Sequence, residues 1–454
     1  MSHTPLQSAC PRVSIVGAGI SGLALACHLQ ARKIPFNIYD ARNAQTTGHS
    51  YGITLRNHAL KSFKNSSFPK EHLVALRQKT AVDRAIGGTG KVSDQSPKAS
   101  ATFQAVDRDF RRWLVELLTK QGGSIYWEHK LVAIRAAADG SAELCFDGRE
   151  PTLADLVIDA GGLRAPCFDY GVEAAPKPRL LPYATYYGVR RLQSQDFLDK
   201  YAHYFGEGNT IELAAEAGTS APFISLQKVH LGEPGQRHHE VELRWVYSRP
   251  PKAGSDPLYR PYRTASEAKD IPPELYNEIL SSTQLHFSQK KRAMLAQFFN
   301  LDDLHNDRIL NWHLRARLPP RDYFVANADH KGYQVLPIGD AAHGFPIVKS
   351  NGAEAALRDA KLMASFISDE VDRRLGGPGG VPRTRKSPFR YGRWYKQTQD
   401  AIQDLRNIHG QHERTAVELA DIIGFKYEPT GIDDEIGDSS SEVDFNIVED
   451  KGRL

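Results

Sequence analysis

The stretch "VSIVGAGISGLALACHL", Val13–Leu29, decides the fold of this chain. It predicts a short buried strand, a glycine turn and then a helix. Gly17 permits a tight turn, Gly19 lets backbone N–H groups approach a pyrophosphate, and Gly22 lets the helix pack close to the sheet. The N-terminus of that helix carries the partial positive charge that binds phosphates. The pattern therefore predicts a Rossmann-like dinucleotide-binding unit.

The next predicted strand, "PFNIYD", ends at Asp40, about 20 residues after Gly19, which is the usual distance for this acid. An acid at this position accepts hydrogen bonds from ribose hydroxyls. A glycine turn that only packs a helix closely would explain the glycines but would leave the acid unexplained. We therefore predict that Asp40 contacts a bound dinucleotide.

Length and composition exclude several classes of protein. A chain of 454 residues predicts more than one domain, and 41% hydrophobic with 25% charged residues is typical of a globular protein. A net charge of +4 without basic clusters among aromatic residues argues against nucleic acid as a partner. The four cysteines are too scattered for a disulfide framework, and no residue pattern predicts a metal site. Without a secretory signal or an apolar run of ~18 residues, we expect a cytoplasmic protein with no membrane span.

The predicted elements divide the chain into interleaved domains. Alternating strands and helices predict an α/β domain from residues 1–175 and 305–375. Residues 176–304 contain alternating segments rich in β-branched and aromatic residues, which predict an antiparallel sheet in a second domain. Residues 386–428 predict a helical C-terminal segment, and the acidic residues 429–454 predict a disordered tail.

A second strand-to-helix corner is predicted in "VLPIGDAAHGFPIVKSNGAEAALRDA", far from the first. An NAD-binding domain would continue as further βαβ units, whereas here the α/β pattern stops and resumes near residue 335. This interruption favours a longer, flavin dinucleotide. Asp340 is placed to bind the hydroxyls of its ribityl chain. The N–H groups of Gly352 and Ala353, where the helix begins, are placed to point at the ring.

These motifs resemble those of the class A flavoprotein monooxygenases, the para-hydroxybenzoate hydroxylase-like family. The segment from Gly339 to Ala360 resembles the second FAD-binding motif of that family. "SYGITL" resembles a turn near the flavin, which implies a backbone contact from Gly52. "VDRDFRRWL" resembles the segment whose arginine holds FAD, and its register leaves both Arg108 and Arg111 as candidates. The implied fold is a Rossmann-like FAD-binding domain interleaved with a β-rich substrate domain.

One departure from the family concerns the strand "LVIDAGG". The family has an acid in an Ala-Asp-Gly sequence after this strand, tied to FAD and to the nicotinamide nucleotide. This chain has Gly161 at that position, and Asp159 lies two residues earlier. The route by which reduced nicotinamide reaches the flavin is therefore left open.

The resemblance implies an enzyme that binds FAD, reduces it with transient NADH or NADPH, and uses O₂. One oxygen atom is inserted into an aromatic small molecule, by hydroxylation or epoxidation, in secondary metabolism. Arg190 and Arg191, in "YATYYGVRRL", point to opposite faces of a predicted strand, so at most one contacts substrate. That arginine would hold a phenolate or donate a proton. Tyr186 and Tyr187 are expected to be packing aromatics, with contact to the substrate as the alternative.

Two other classes of function stay open at this stage. The first is a flavin oxidase, dehydrogenase or halogenase, although the Trp-x-Trp-x-Ile-Pro segment of halogenases is absent. The second is a flavin-binding protein that does not oxidise, such as a cyclase. The glycine at position 161 keeps a nicotinamide-independent activity open.

Overall fold

The computed structural model describes residues 10–44, 52–56, 102–167, 178–205, 210–213, 222–231, 240–316, 333–344 and 352–374. The predicted helical segment 386–428 and acidic tail 429–454 lie outside these ranges. The strands are β1 (Val13–Val16), β2 (Phe36–Tyr39), β3 (Gly52–Arg56), β4 (Thr102–Val106), β5 (Leu131–Ala136), β6 (Ala142–Phe146), β7 (Thr152–Ala154), β8 (Leu156–Asp159), β9 (Arg179–Leu180), β10 (Ala184–Gln193), β11 (Thr210–Leu213), β12 (Phe223–Leu231), β13 (Glu240–Arg249), β14 (Arg308–Asn311), β15 (Arg315–Ala316) and β16 (Gln334–Pro337). The helices are α1 (Ile20–Ala31), α2 (Asp107–Lys120), α3 (Ser194–Lys200), α4 (Ala202–Phe205), α5 (Glu274–Leu285), α6 (Gln289–Phe298), α7 (Leu301–Asn306), α8 (Asp340–His343) and α9 (Gly352–Arg374).

The first domain is built on a parallel sheet in the order β16-β8-β1-β2. β1 and β8 are buried at every position, as their continuous apolar sequences predict for strands covered on both faces. One face packs against α1, α2 and α9, and the other packs against the antiparallel sheet β5-β6-β7. The predicted Rossmann-like α/β fold is therefore confirmed, and β16 returns to it from more than 170 residues after β8.

The second domain contains the predicted antiparallel sheet, in the order β11-β12-β13-β10-β14. Helices α3 to α7 cover one face, where alternate residues of the strands form an apolar core. The predicted end of this domain at residue 304 needs correction, because β14 at Arg308–Asn311 pairs with β10. The four residues of β14 have no strong alternating pattern, so the sequence did not predict an edge strand there.

A short ribbon joins the two domains. β9 and β15 pair with each other, and the N–H of Leu181 donates to the carbonyl oxygen of Leu314. The chain therefore enters and leaves the second domain at neighbouring points.

Candidate functional site

The carboxyl ends of the parallel strands lie side by side. In the pairing register, Val16 is opposite both Tyr39 and Asp159, and Asp159 is in turn opposite Pro337. The residues that follow each strand therefore share one edge of the sheet. Open α/β sheets bind their ligands in the crevice outside this edge.

The first corner has the shape that a pyrophosphate needs. Gly17 has a φ of 110°, and a Cβ there would collide with the carbonyl group of Ala160. A Cβ on Gly22 would collide with the carbonyl oxygen of Gly17, whereas one on Gly19 would meet nothing closer than 3.8 Å. α1 begins without a side-chain cap and without an acid in its first turn. Its first N–H groups are therefore open to an anion, and the site fits the dinucleotide predicted from sequence.

Asp40 lies at this corner, but its carboxylate already has partners within the protein. It accepts a hydrogen bond of 2.6 Å from the N–H of Ala18 and pairs with the guanidinium of Arg42 at 2.8 and 2.9 Å. Burial alone would raise the pKa of Asp40, but the hydrogen bonds and charge of Arg42 outweigh burial and hold it below its ordinary value. Arg42 is a residue that sequence reasoning missed. The only indication of Arg42 in the sequence was its position as a basic residue two places after Asp40.

The two candidate arginines on α2 differ in their surroundings, and Arg111 is the more buried of the two. Its Nε lies 2.8 Å from Asp107, which is buried, while Arg108 contacts only the neighbouring Asp109 at 3.4 Å. Burial raises the pKa of Asp107, although the positive charges of Arg111 and Arg42 act to lower it. Arg111 therefore belongs to the charged group beside the first corner. The roles of both arginines toward FAD stay predictions.

Gly52 lies near the same group. It begins β3 and pairs with Val106, the residue that directly precedes α2. The backbone contact expected for Gly52 is thus compatible with its location, and the contact itself stays a prediction.

The second corner packs directly against the first. Gly339 has a φ of 61°, and a Cβ there would lie 2.8 Å from the hydroxyl of Ser21 in α1. The N–H of Gly339 donates to the buried carboxylate of Asp359 at 2.8 Å, which ties the corner to α9. Asp359 is part of the recognised motif, and its function here is to hold this turn.

Asp340 and the start of α9 face each other across the second corner. A Cβ on Gly352 would lie 3.4 Å from Oδ1 of Asp340, so the carboxylate and the first turn of α9 are in contact distance. Ala353 follows in the same turn, partly buried against the core. Asp340 also begins α8, a short helix that the sequence did not predict. Together these residues fit the ribityl and ring end of a flavin.

The residues around position 161 leave no space for a side chain larger than that of glycine. A Cβ there would collide with the ring of Pro166. Asp159, which is 0% exposed, accepts hydrogen bonds from the N–H groups of Gly161 and Cys167, both at 2.9 Å. Asp159 therefore holds the turn, and it does not replace the acid that the family has here.

Arg190 and Arg191 lie on opposite faces of β10, as predicted. Arg190 is 5% exposed and lies on the helix-covered face. Its guanidinium donates to both oxygens of Asp307 at 2.7 and 2.9 Å, and to Asp303 at 2.8 Å. These bonds attach α7 to the sheet and occupy the guanidinium. A catalytic function for Arg190 therefore has no support, and we correct that candidate to a structural residue.

Arg191 lies on the other face, with charged and polar neighbours. Its Nε is 3.3 Å from Glu242, which also accepts a hydrogen bond from Arg244 at 3.0 Å. Tyr187 is buried on this face, and burial raises the pKa of its phenol to about 12. The face therefore offers two guanidinium groups, one carboxylate and a protonated phenol. Arg244 and Glu242 were not found from sequence, because alternation does not tell which face is covered.

Among the described residues, no three or more His, Cys, Asp or Glu side chains are grouped as metal ligands would be. None of the helices within those ranges combines the length and apolar character needed to cross a bilayer.

Comparison with known proteins supports the dinucleotide site. Residues 15–65 match the NAD(P)-binding Rossmann-like domain family. The chain is 26% identical to the FAD-dependent monooxygenase adaC of Aspergillus niger over 431 residues, which cover 91% of this chain and 96% of that protein. It is 27% identical to the FAD-dependent monooxygenase aptC of Emericella nidulans over 379 residues, or 78% of this chain and 85% of that one.

The fold is that of solved flavin hydroxylases. The structure of 2,6-dihydroxypyridine-3-hydroxylase from Arthrobacter nicotinovorans superposes with a TM-score of 0.57 at 16% identity, covering 93% of this chain and 95% of that one. The motifs, the relatives and the fold agree over most of the chain. The predicted resemblance to the class A flavoprotein monooxygenases is therefore confirmed.

Proposed function

We propose that this protein is an FAD-dependent monooxygenase that is reduced by NADH or NADPH and inserts one oxygen atom from O₂ into an aromatic small molecule. The observation that carries the proposal is the contact between the two corners, with Gly339 against Ser21. That contact brings the phosphate-binding turn and Asp340 to one edge of one sheet. A single extended dinucleotide with a ribityl chain matches this arrangement.

The residues of the site have distinct functions toward FAD. The first turn of α1 would bind the pyrophosphate, and Arg42, held by Asp40, would lie beside the adenosine half. Asp340 would bind the ribityl hydroxyls, and the first N–H groups of α9 would face the ring. When bound, the flavin supplies the redox chemistry and the activation of O₂.

The face of β10 and β13 that carries Arg191 is the proposed substrate surface. Two guanidinium groups beside one carboxylate leave a net positive charge, which suits a phenolate or an enolate oxygen of an aromatic substrate. Tyr187, protonated at neutral pH, would donate a hydrogen bond to a substrate oxygen. The relatives adaC and aptC, both named as monooxygenases of fungi, support a substrate from secondary metabolism.

A flavin oxidase is the second candidate, because Gly161 and Pro166 leave no room for the acid that the family uses. One experiment separates the two. The purified protein is loaded with FAD, mixed anaerobically with NADPH and candidate phenols, and then exposed to ¹⁸O₂. A monooxygenase bleaches the flavin with NADPH and places one ¹⁸O atom in the product. Bleaching by the phenol alone, with no ¹⁸O incorporated, would establish the oxidase instead.

A further inference from the structure

A basic surface lies on the helices that cover the second domain, outside the site described so far. Lys290, Lys291 and Arg292 stand in the first turn of α6, and they are the only run of three consecutive basic residues in the sequence. Lys290 and Arg292 are exposed, and Lys291 is half-buried. We call these three residues, together with Leu285 at the end of α5, the basic patch.

The positive charge of the basic patch is not balanced locally. Within the described ranges, none of its three cations has a carboxylate oxygen within ion-pair distance. Arg292 donates through Nε to the uncharged carbonyl oxygen of Phe287 at 2.6 Å. The sequence has no acid between Ile279 and Asn300, and Glu278, which precedes this range, already pairs with Lys252. The patch therefore presents three positive charges to the solvent.

The location of these cations does not stabilise α6. The N-terminus of a helix carries partial positive charge, so cations in the first turn are unfavourable and acids are favourable there. α6 has no acid in this turn, and its N-cap Ser288 makes no side-chain hydrogen bond to it. A sequence that breaks a local rule in this way indicates a functional surface. The first N–H groups of α6 and the three side chains all favour a negatively charged partner.

Leu285 adds apolar surface to the basic patch. It is the last residue of α5, which packs against α6, and its side chain is 74% exposed. Ala293, next to Arg292 in α6, is exposed as well. A single exposed leucine is common, but one beside three unbalanced cations offers an apolar contact to a partner that carries both acids and apolar residues.

The chain itself contains a segment of this composition. Residues 433–450, "DDEIGDSSSEVDFNIVED", have eight acidic and no basic residues, so they carry a charge of −8 and the rest of the chain carries +12. Five apolar residues lie among the acids: Ile436, Val443, Phe445, Ile447 and Val448. This acidic segment lies outside the described ranges. The 58 residues that join it to α9 are enough to reach any surface of the second domain.

We propose that the acidic segment, residues 433–450, binds the basic patch of the same chain. Its carboxylates pair with Lys290, Lys291 and Arg292, and its apolar residues cover Leu285. Because both partners belong to one chain, the effective concentration is high and a weak interaction is enough to keep them together. Exposed charge pairs of this kind are weakened by salt. The inference concerns a surface away from the flavin, so it goes beyond the proposed function and does not depend on it.

The test is carbodiimide cross-linking of the FAD-loaded protein, followed by mass spectrometry of the linked peptides. Carbodiimide joins a lysine amine directly to a carboxylate, so the Lys252–Glu278 pair at 2.6 Å serves as an internal standard. Lys290 and Lys291 should link to the acidic segment about tenfold more than the exposed Lys130 and Lys269 do. Raising the salt concentration from about 0.1 M to about 1 M should remove most of these links and change the standard much less, because the fold holds that pair together.

Two replacements of Arg292 separate charge from structure and keep both reporting lysines. Arg292→Glu and Arg292→Lys both remove the guanidinium that binds the carbonyl oxygen of Phe287, but only glutamate reverses the charge. Links from Lys290 and Lys291 to the acidic segment should fall about fivefold in Arg292→Glu and stay within about twofold in Arg292→Lys. An equal fall in both variants would show that the charge of the patch is not the cause, and it would overturn the proposal.

Three other results would also overturn the proposal. Equal linking of the acidic segment to Lys130 and Lys269 would show a non-specific attraction. Links found only between an isotope-labelled and an unlabelled chain would assign the patch to a contact between two copies. Binding to phosphatidylserine vesicles that is lost in Arg292→Glu, with no link from the patch to the acidic segment, would assign the patch to an anionic membrane. None of these measurements uses flavin reduction or product formation, so failure of the monooxygenase proposal would leave this inference standing.

Discussion

Replacement of two neighbouring arginines, Arg190→Met and Arg191→Met, tests the division between the structural and the functional face of β10. Arg190→Met removes the guanidinium that neutralises Asp307, whose side chain is 0% exposed. Trp245 would remain as a hydrogen-bond donor to that carboxylate at 2.7 Å, but without a positive charge. Breaking a buried ion pair from one side costs about 3–5 kcal/mol because the other charge is left buried.

For a domain of this size, ~4 kcal/mol corresponds to a fall in Tm of roughly 10 °C. Arg191→Met should be much milder. Its side chain is 39% exposed, and Glu242 keeps Arg244 as its partner. A partly exposed pair contributes about 0–1 kcal/mol, so we expect a change in Tm of at most about 2 °C.

The assay measures Tm by differential scanning fluorimetry and turnover per bound flavin at a temperature well below both transitions. Arg190→Met should keep turnover within about twofold, whereas Arg191→Met should bind substrate more weakly. Arg190→Lys, which keeps the charge but not the paired geometry, should fall between Arg190→Met and the wild type in Tm. An Arg190→Met protein of unchanged Tm that holds FAD but has lost turnover would refute the structural assignment.

Three further predictions concern the flavin site. Asp340→Ala should lose FAD while the apoprotein keeps its circular dichroism spectrum, and retention of one FAD per chain would contradict the function given to Asp340. The pKa of Asp40 lies below its ordinary value, so the stability contributed by its ionised form is present above about pH 4 and is lost as pH falls through the native pKa. Asp40→Asn should therefore reduce the fall in Tm at acid pH when Tm is measured against pH. An unchanged fall in Tm would contradict this contribution of Asp40. Gly161→Asp should destabilise the protein because of the clash with Pro166, and Gly161→Asp combined with Pro166→Ala should recover most of the lost Tm; equal Tm values for the two proteins would show that the clash is not the cause.

Local pattern predicted much of the first domain. β1, α1 and β2 followed from the glycine spacing and from the strand that ends at Asp40. The two corners were recognised because each carries residues that only a turn or a ligand requires. Because one flavin was expected to use both corners, they were expected to lie close together, and the structure adds the specific contact between Gly339 and Ser21.

Other features of the fold and the site depend on contacts between distant parts of the chain, which local sequence patterns do not show. Alternation in β10 separated Arg190 from Arg191, but only the position of α7 shows which face is covered. β14 is held in the sheet by pairing with a strand more than 110 residues earlier, and its own sequence has no strong alternating pattern. The hydrogen bond from the N–H of Ala18 to Asp40 likewise depends on the pairing of β1 with β2.

Gly161 lies in a tightly packed turn that follows β8. Pro166 occupies the space that an acid's side chain would need, and Asp159 uses both carboxylate oxygens to hold the same turn. Packing therefore leaves no room for an acid at position 161. The next residues along the turn end in Arg164, whose charge acts on Arg315 in the ribbon that joins the two domains. Two guanidinium groups beside this turn attract an anionic reductant, so flavin reduction by NADPH, followed by stopped-flow absorbance, should slow as salt concentration rises.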